Sequence, residues 1–380
     1  MEFGWSDEDV KFRAELRAFV DEELAGSWYG AVRHLGSPEN VANSIRFNGH
    51  LAERGWLTPH WPAEHGGRET TPWQHIIMGE ELWSVGEPRG PQYMNVNWIG
   101  PSIMAHGTPE QKAFHLPLIA AGKVVWCQGF SEPDAGSDLV SLRTRAHRDG
   151  DEYVVNGQKV WTSYASVADY CFLLVRTNPN AEPHKGISVL LVPTDTPGFH
   201  ITDVRSVVGE HAFHELFFDD MRVPVSCLLG VEDQGWSLVR EALSYERVGA
   251  PRYARAAFQL DATMCWANEH DIEITDAVAE RIDQAIACCE AARLLAYRVI
   301  DERAKGLPSG PSGNIARAAM VQAERLVGQV VLELQGTEAL ASGAIADEQY
   351  RKSMAAGIAA GSYETQLNLI ARLQLRLPKG

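Results

Sequence analysis

Apolar residues at Val10, Phe12, Leu16, Phe19 and Val20 fall roughly on one helical face, so the first pattern in the chain predicts a helix over residues 8–24. Breakers follow at Gly26, Gly30 and Gly36-Ser37-Pro38. Helical patterns resume over 41–54 and 73–85, with a long turn between them containing Pro59, Pro62 and Gly66-Gly67. Pro109 followed by Glu110 marks one more helix start. From 122 to about 232 the period changes. The runs 170–175, 187–192 and 214–218 are short, apolar and bounded by Pro or Gly, which predicts strands of a compact antiparallel sheet. From Gly235 helical periodicity returns over 236–258, 277–305 and 314–334, with a linker at 307–313 and a last helix over 362–376. The patterning predicts an α+β chain in three parts: 1–121 helical, 122–232 sheet, 233–380 helical. No fixed-period repeat is present.

A length of 380 residues exceeds one ordinary core and agrees with several domains. A hydrophobic fraction of 45% supports a globular protein. The formal charge of −16 argues against nucleic acid or an anionic membrane as the main partner, while leaving room for an anionic ligand held by a few local cations. No run approaches the roughly 20 apolar residues of a membrane span. Met1–Trp5 shows neither a basic nor an apolar leader region, and the six cysteines include no C-x-x-C pair, so free thiols in a reducing cytoplasm are expected.

Two segments concentrate the chemistry. Gly129-Phe130-Ser131-Glu132-Pro133-Asp134-Ala135-Gly136-Ser137-Asp138 follows an apolar run and reads as a polar loop offering N–H groups and hydroxyls to an anionic or carbonyl-rich ligand. Asn156-Gly157-Gln158-Lys159-Val160-Trp161-Thr162-Ser163 reads as a hairpin arm, with a type I′ turn expected at Asn156-Gly157. A large flat ring followed by two hydroxyls suits a planar heteroaromatic cofactor, the ring on its face and the hydroxyls at its edge. The plain alternative is a surface loop and a hairpin with a core Trp. His211 and His214-Glu215 carry no metal-ligand spacing, and no metal is expected. There is no Walker loop and no G-x-G-x-x-G.

Ser-Glu-Pro-x-Ala-Gly-Ser-Asp followed by Asn-Gly-x-Lys-x-Trp-Thr-Ser resembles the acyl-CoA dehydrogenase family, and the similarity runs over essentially the whole chain. The resemblance implies an N-terminal helical domain, a middle β-barrel domain and a C-terminal four-helix bundle. It implies FAD, with Ser131 at the flavin pyrimidine, Trp161 over the ring face, Ser163 near N5, and Ser137 shared between flavin phosphates and acyl-CoA. It further implies α,β-dehydrogenation of an acyl-CoA thioester to a trans-2-enoyl-CoA. An α-proton goes to a glutamate and a β-hydride to the flavin, with electron-transfer flavoprotein as the acceptor.

The family glutamate occupies one of two places. At the commoner one this chain has Ala360, and Glu364, four residues on, reads as a helix first-turn acid. At the other, Glu246 of Leu243-Ser244-Tyr245-Glu246-Arg247 falls on the base position among small and apolar helical neighbours, where desolvation raises a carboxyl toward neutrality. An ion pair with Arg247, Arg240 or Arg252 is the competing reading; the adjacent Arg247 is also a candidate for substrate contact. Three segments depart from the family. Trp266–Asp271 lacks the family arginine and carries Glu269 and Asp271; Glu333-Leu334-Gln335-Gly336 replaces a Gln-x-x-Gly-Gly stretch and keeps Gly336; Leu367 stands where an Arg follows Gln366. Gly336 and Gln366 remain cofactor candidates. Because these segments belong to the part of the site given by a neighbouring subunit, the resemblance implies an α2β2 assembly with a paralogous chain, of the type acting on steroid side-chain thioesters. A subunit without turnover, and an oxidase using O2, are the other readings.

Overall fold

The computed structural model describes residues 5–24, 37–207, 209–249, 251–308, 310–341, 345–359 and 361–378, with side chains except at 209–212, 243–249, 340, 345 and 348. The described helices are α1 (Asp7–Glu23), α2 (Pro38–Glu53), α3 (Pro72–Ser84), α4 (92–106), α5 (Pro109–Ala120), α6 (Gly235–Gly249), α7 (Arg252–Glu269), α8 (Asp276–Ala304), α9 (Ser312–Gln335), α10 (Ile345–Ala355) and α11 (Tyr363–Leu373). The strands are β1 (Trp126–Gly129), β2 (Arg145–Asp149), β3 (Glu152–Ser163), β4 (Tyr170–Arg176), β5 (Ile187–Pro193), β6 (Phe199–Ser206), β7 (Gly209–Pro224) and β8 (Leu228–Leu229). They divide into two compact units, one of 34–69 and 89–245, the other of 1–33, 70–88 and 246–380.

In the first unit, helix starts follow local chemistry. Ser37 caps α2 with Pro38 in its first turn, and Thr108 and Gln111 form a capping box on α5. The helix α4 escapes the sequence pattern because its middle, Asn95–Ile99, is a π-helical segment with buried polar side chains. Asn95 Nδ2 donates to the Val124 carbonyl at 3.0 Å, and Trp61 Nε1 to that of Val96 at 2.9 Å, so these polar atoms are satisfied without water.

The sheet runs β6-β7-β3-β2-β4-β5-β8, with β1 added beside β4. Most pairings are antiparallel as expected, but β1–β4 and the short β2–β4 contact are parallel. Alternating inward residues, among them Tyr153, Val155, Leu173, Leu190, Leu216 and Met221, form one buried cluster. The turn expected at Asn156-Gly157 is not there. β3 passes straight through both residues, with Arg145 opposite Asn156 on one side and Phe218 opposite Gly157 on the other. Gly157 is needed for close approach, since a Cβ there would lie 2.7 Å from Thr144 Cα. Chain reversal falls instead at Gly150-Asp151, between Asp149 and Glu152, with Gly150 at φ +63°.

In the second unit, α8 and α9 share a core rich in small residues, including Ala285, Ala292 and Ala296 with Ala316 and Ala323. The single helix expected over 236–258 is two, because Pro251 cannot supply the hydrogen bond that would continue α6. The helix α10 had no counterpart in the sequence reading. Glu80 on α3 is a buried hub: its Oε1 accepts from the Tyr253 and Tyr297 hydroxyls at 2.8 Å each, and its Oε2 from Arg13 at 2.6 Å. Among the described residues no helix is long and apolar enough to cross a membrane. All six cysteines are free; Cys265 is exposed and Cys127, Cys171 and Cys289 are buried.

Candidate active site

The site begins with a defect in the β3–β7 ladder. Lys159 stands opposite Leu216 and Thr162 opposite His214, so Val160 and Trp161 face only Glu215. This is a β-bulge, which bends a strand and re-aims a side chain. Trp161 takes φ +62°, a left-handed conformation costing a bulky residue about 1–3 kcal/mol. The bulge turns the indole outward, where it is 57% exposed with Phe213 edge-on at 5.9 Å. The next residue, Thr162, is buried, its Oγ1 with no hydrogen-bond partner among the described residues, and Ser163 is half-buried. A broad uncovered ring fits a planar ligand.

The Ser131 loop is joined to the same strand. Val160 N–H, freed from the ladder at the bulge, donates to the Ser131 carbonyl at 2.9 Å. Glu132 and Ala135 exchange backbone bonds of 2.9 and 3.1 Å, closing a tight turn around Pro133-Asp134. Beneath it Lys159, wholly buried, donates to Glu132 Oε1 at 2.8 Å and to the Phe130 carbonyl at 3.0 Å. The carboxylate also accepts the N–H groups of Arg143 at 2.6 Å and Thr144 at 2.9 Å. Burial pushes the Lys159 ammonium down to about 8 against the pull of Glu132. Burial works against the Glu132 anion too, but Lys159 and the donors around it outweigh that and hold its carboxyl below the usual range. Both groups are therefore charged at neutral pH. Ser137 lies farther along the loop and is exposed.

The structure thus brings Ser131, Trp161 and Ser163 onto one framework. His214, weighed in the sequence only as a metal ligand, is buried behind the bulge with Nδ1 3.1 Å from the Thr162 carbonyl and Nε2 3.1 Å from Asp203 Oδ1. Among the described residues no cluster that could hold a metal is present; the His211 side chain lies outside them. Lys159, Glu132 and His214 were missed as a group because their pairing depends on strand register.

In the other unit, Glu246 and Arg247 lie on α6, and their side chains are outside the described residues, as is Ala360. Glu364 sits in the first turn of α11, which Ser362 caps, as its spacing predicted. Gly336 ends α9 at φ +54° and is exposed. Gln366 is buried and donates to the Gly361 carbonyl at 3.3 Å, so its amide is engaged inside the bundle. Both oxygens of Glu333 accept from Arg281 on α8, Nε at 2.8 Å and Nη2 closer still, so its charge is balanced within the chain.

Comparison with known proteins fits this geometry. Models of the acyl-CoA dehydrogenase N-terminal, middle and C-terminal domains match residues 6–123, 127–221 and 233–375. The acyl-CoA dehydrogenases FadE26 and IpdE1 of Mycobacterium tuberculosis are each 34% identical, the first over 100% of this chain and 99% of its own, the second over 98% and 99%. Among solved structures, the Tcur3481-Tcur3483 steroid ACAD superposes with a TM-score of 0.92 at 30% identity, covering 100% of both chains. The ChsE4-ChsE5 complex from M. tuberculosis does so with 0.88 at 31%, again over 100% of both. With all three domain models matched and relatives aligned end to end, the chain belongs to the acyl-CoA dehydrogenase family of oxidoreductases.

Proposed function

We propose that the chain is the base-carrying subunit of an FAD-dependent acyl-CoA dehydrogenase that converts an acyl-CoA thioester to its trans-2-enoyl-CoA. The observation that carries this reading is the Trp161 bulge: an exposed indole, held at a strained φ, on a strand bonded to the Ser131 loop. In this reading Trp161 covers one flavin face, Ser131 and Ser163 hold its edge, and Ser137 meets both the flavin phosphates and the acyl-CoA. The flavin, when bound, supplies the hydride acceptor. Glu246 takes the α-proton, since the other family position is Ala360, which has no proton acceptor. Arg247 contacts the substrate beside it.

The structure named a steroid ACAD supports a steroid CoA thioester, here taken as one of the side chain, as substrate class, and the paired names of both structures support assembly with a paralogous chain, here taken as α2β2. In such an assembly this chain gives the flavin-covering half, and a paralogous chain gives the arginine and glycines that residues 266–271 and 333–339 lack. Gly336 and Gln366 are what this chain retains of that second half. The Arg281–Glu333 pair favours this sharing, because a cation beside the altered glycine stretch is already bound to an acid. Electron-transfer flavoprotein is the proposed acceptor, O2 the alternative, and the reducing cytoplasm the proposed compartment.

The test is the flavin content of the chain purified alone and with its co-expressed paralogue. A yellow complex that releases two FAD per four chains on denaturation supports the reading. A colourless complex after reconstitution with FAD overturns it. A homotetramer with one FAD per chain and full turnover overturns the shared-site part.

A further inference from the structure

We propose that the buried Lys159–Glu132 pair is a positioning element that sets the Trp161 bulge against the Ser131 loop. Its purpose rests on the flavin reading; its geometry does not. Three stretches of chain meet at this pair: the loop through Phe130 and Glu132, the backbone of Arg143 and Thr144, and β3 through Lys159 itself. Burying two opposite charges is a costly way to hold a sheet together, and an apolar pair of similar volume serves stability as well or better. What an ion pair adds is direction. Lys159 Nζ donates to fixed acceptors on the loop, so β3 and the loop keep one register.

That register matters two residues later. At the bulge the ladder between β3 and β7 is interrupted, and the strained backbone at Trp161 persists only where its surroundings over-determine it. Lys159 fixes the strand on the near side, Val160 N–H bonds the Ser131 carbonyl, and His214 holds the Thr162 carbonyl on the far side. The charged and titratable groups around Lys159 are Glu132 on the loop and, on β4, Cys171 and Arg176. Of these Glu132 alone touches its ammonium with a full opposite charge.

The experiment uses the full chain as wild type, Lys159→Met, and Lys159→Met/Glu132→Gln, which removes both charges together. Backbone hydrogen exchange is read over 158–164 without flavin, with β4 and β5 as internal reference; FAD affinity is read separately, on each variant co-expressed with the paralogous chain. In the double variant, exchange over 158–164 rises by about tenfold or more while β4 and β5 keep their protection, and FAD binds about tenfold more weakly. Burial holds the Lys159 ammonium down to about 8 against 10.5 when exposed, so opening takes up a proton between these values, and in wild type the segment gains protection, after correction for intrinsic rates, as pH rises above about 8; the double variant lacks this dependence. Should Lys159→Met fail to fold, the double variant carries the test. Wild-type exchange over 158–164 in the double variant overturns the proposal, as does loss of protection across β4 and β5 in both variants, which marks a general prop for the sheet. If the wild-type complex with its paralogue binds no FAD yet exchange responds as described, the positioning role stands and the flavin reading falls.

Discussion

The carbonyl oxygen of Thr162 is held by the buried imidazole of His214, 3.1 Å away on the neighbouring strand, directly behind the outward-turned Trp161. A carbonyl only accepts, so Nδ1 is the donor in this bond. His214→Leu leaves the acceptor unmatched in a dry site. The expected cost is about 1–3 kcal/mol, read as a lower urea midpoint with unchanged slope, together with weaker FAD binding.

Trp161→Gly separates strain from function. Glycine adopts φ +62° freely, and the ring it removes is mostly exposed, so little burial is lost. Relief of about 1–3 kcal/mol of strain is offset by about 0.5–1 kcal/mol of added unfolded-state entropy. Folding stability is expected to stay level or rise by about 1 kcal/mol while flavin binding collapses. A fall of more than about 2 kcal/mol in urea unfolding would mean the indole packs for the fold instead.

The parts of this arrangement that follow local rules were legible in the sequence. The first-turn position of Glu364 and the alternation of helical and strand periods needed only spacing. Asn156-Gly157 misled because the same dipeptide that favours a turn also permits a close crossing, and the deciding atom, Thr144 Cα, is distant in sequence. The helix through Gln92, Asn95 and Asn97 was hidden because buried amides with partners look polar in a pattern. The Lys159–Glu132 and Arg281–Glu333 pairs depend on tertiary neighbours 27 and 52 residues apart.

The two candidate bases predict opposite outcomes. Glu246→Gln removes the α-proton acceptor and is expected to lower flavin reduction by acyl-CoA by roughly 10²–10⁴-fold with flavin retained. Glu364→Gln changes an acid in the first turn of α11 and is expected to cost about 0.3–1 kcal/mol of stability with rates nearly unchanged. Single-turnover flavin bleaching measures both; loss of bleaching in the Glu364 variant alone would move the base to α11.

Tyr253→Phe tests the Glu80 hub. The hydroxyl donates to a buried carboxylate at 2.8 Å, a bond to a charged group worth about 1.5–3 kcal/mol. Tyr297→Phe, whose ring is less deeply buried, is expected to cost less. Because both phenols share Glu80 Oε1, the double variant is expected to depart from additivity, which urea denaturation of the three variants measures.

Acid sensitivity should come in part from His115. Its ring sits among Phe114, Trp126 and Tyr170, with centroids 4.9, 5.0 and 5.1 Å away, and burial there lowers its pKa from 6.5 to about 4. The folded chain therefore keeps the ring neutral while the unfolded chain protonates it near 6.5. Between these values the unfolded state binds more protons, so stability falls as pH drops from about 6.5 to about 4 and changes no further below that from this group. The full span is worth about 3 kcal/mol, at a slope of up to about 1.4 kcal/mol per pH unit. His115→Gln cannot titrate, so its urea stability should decline less steeply across this window, even if it starts lower at pH 7 for lost packing. Parallel pH profiles for wild type and variant would show instead that the aromatic pocket opens to water before the ring takes its proton.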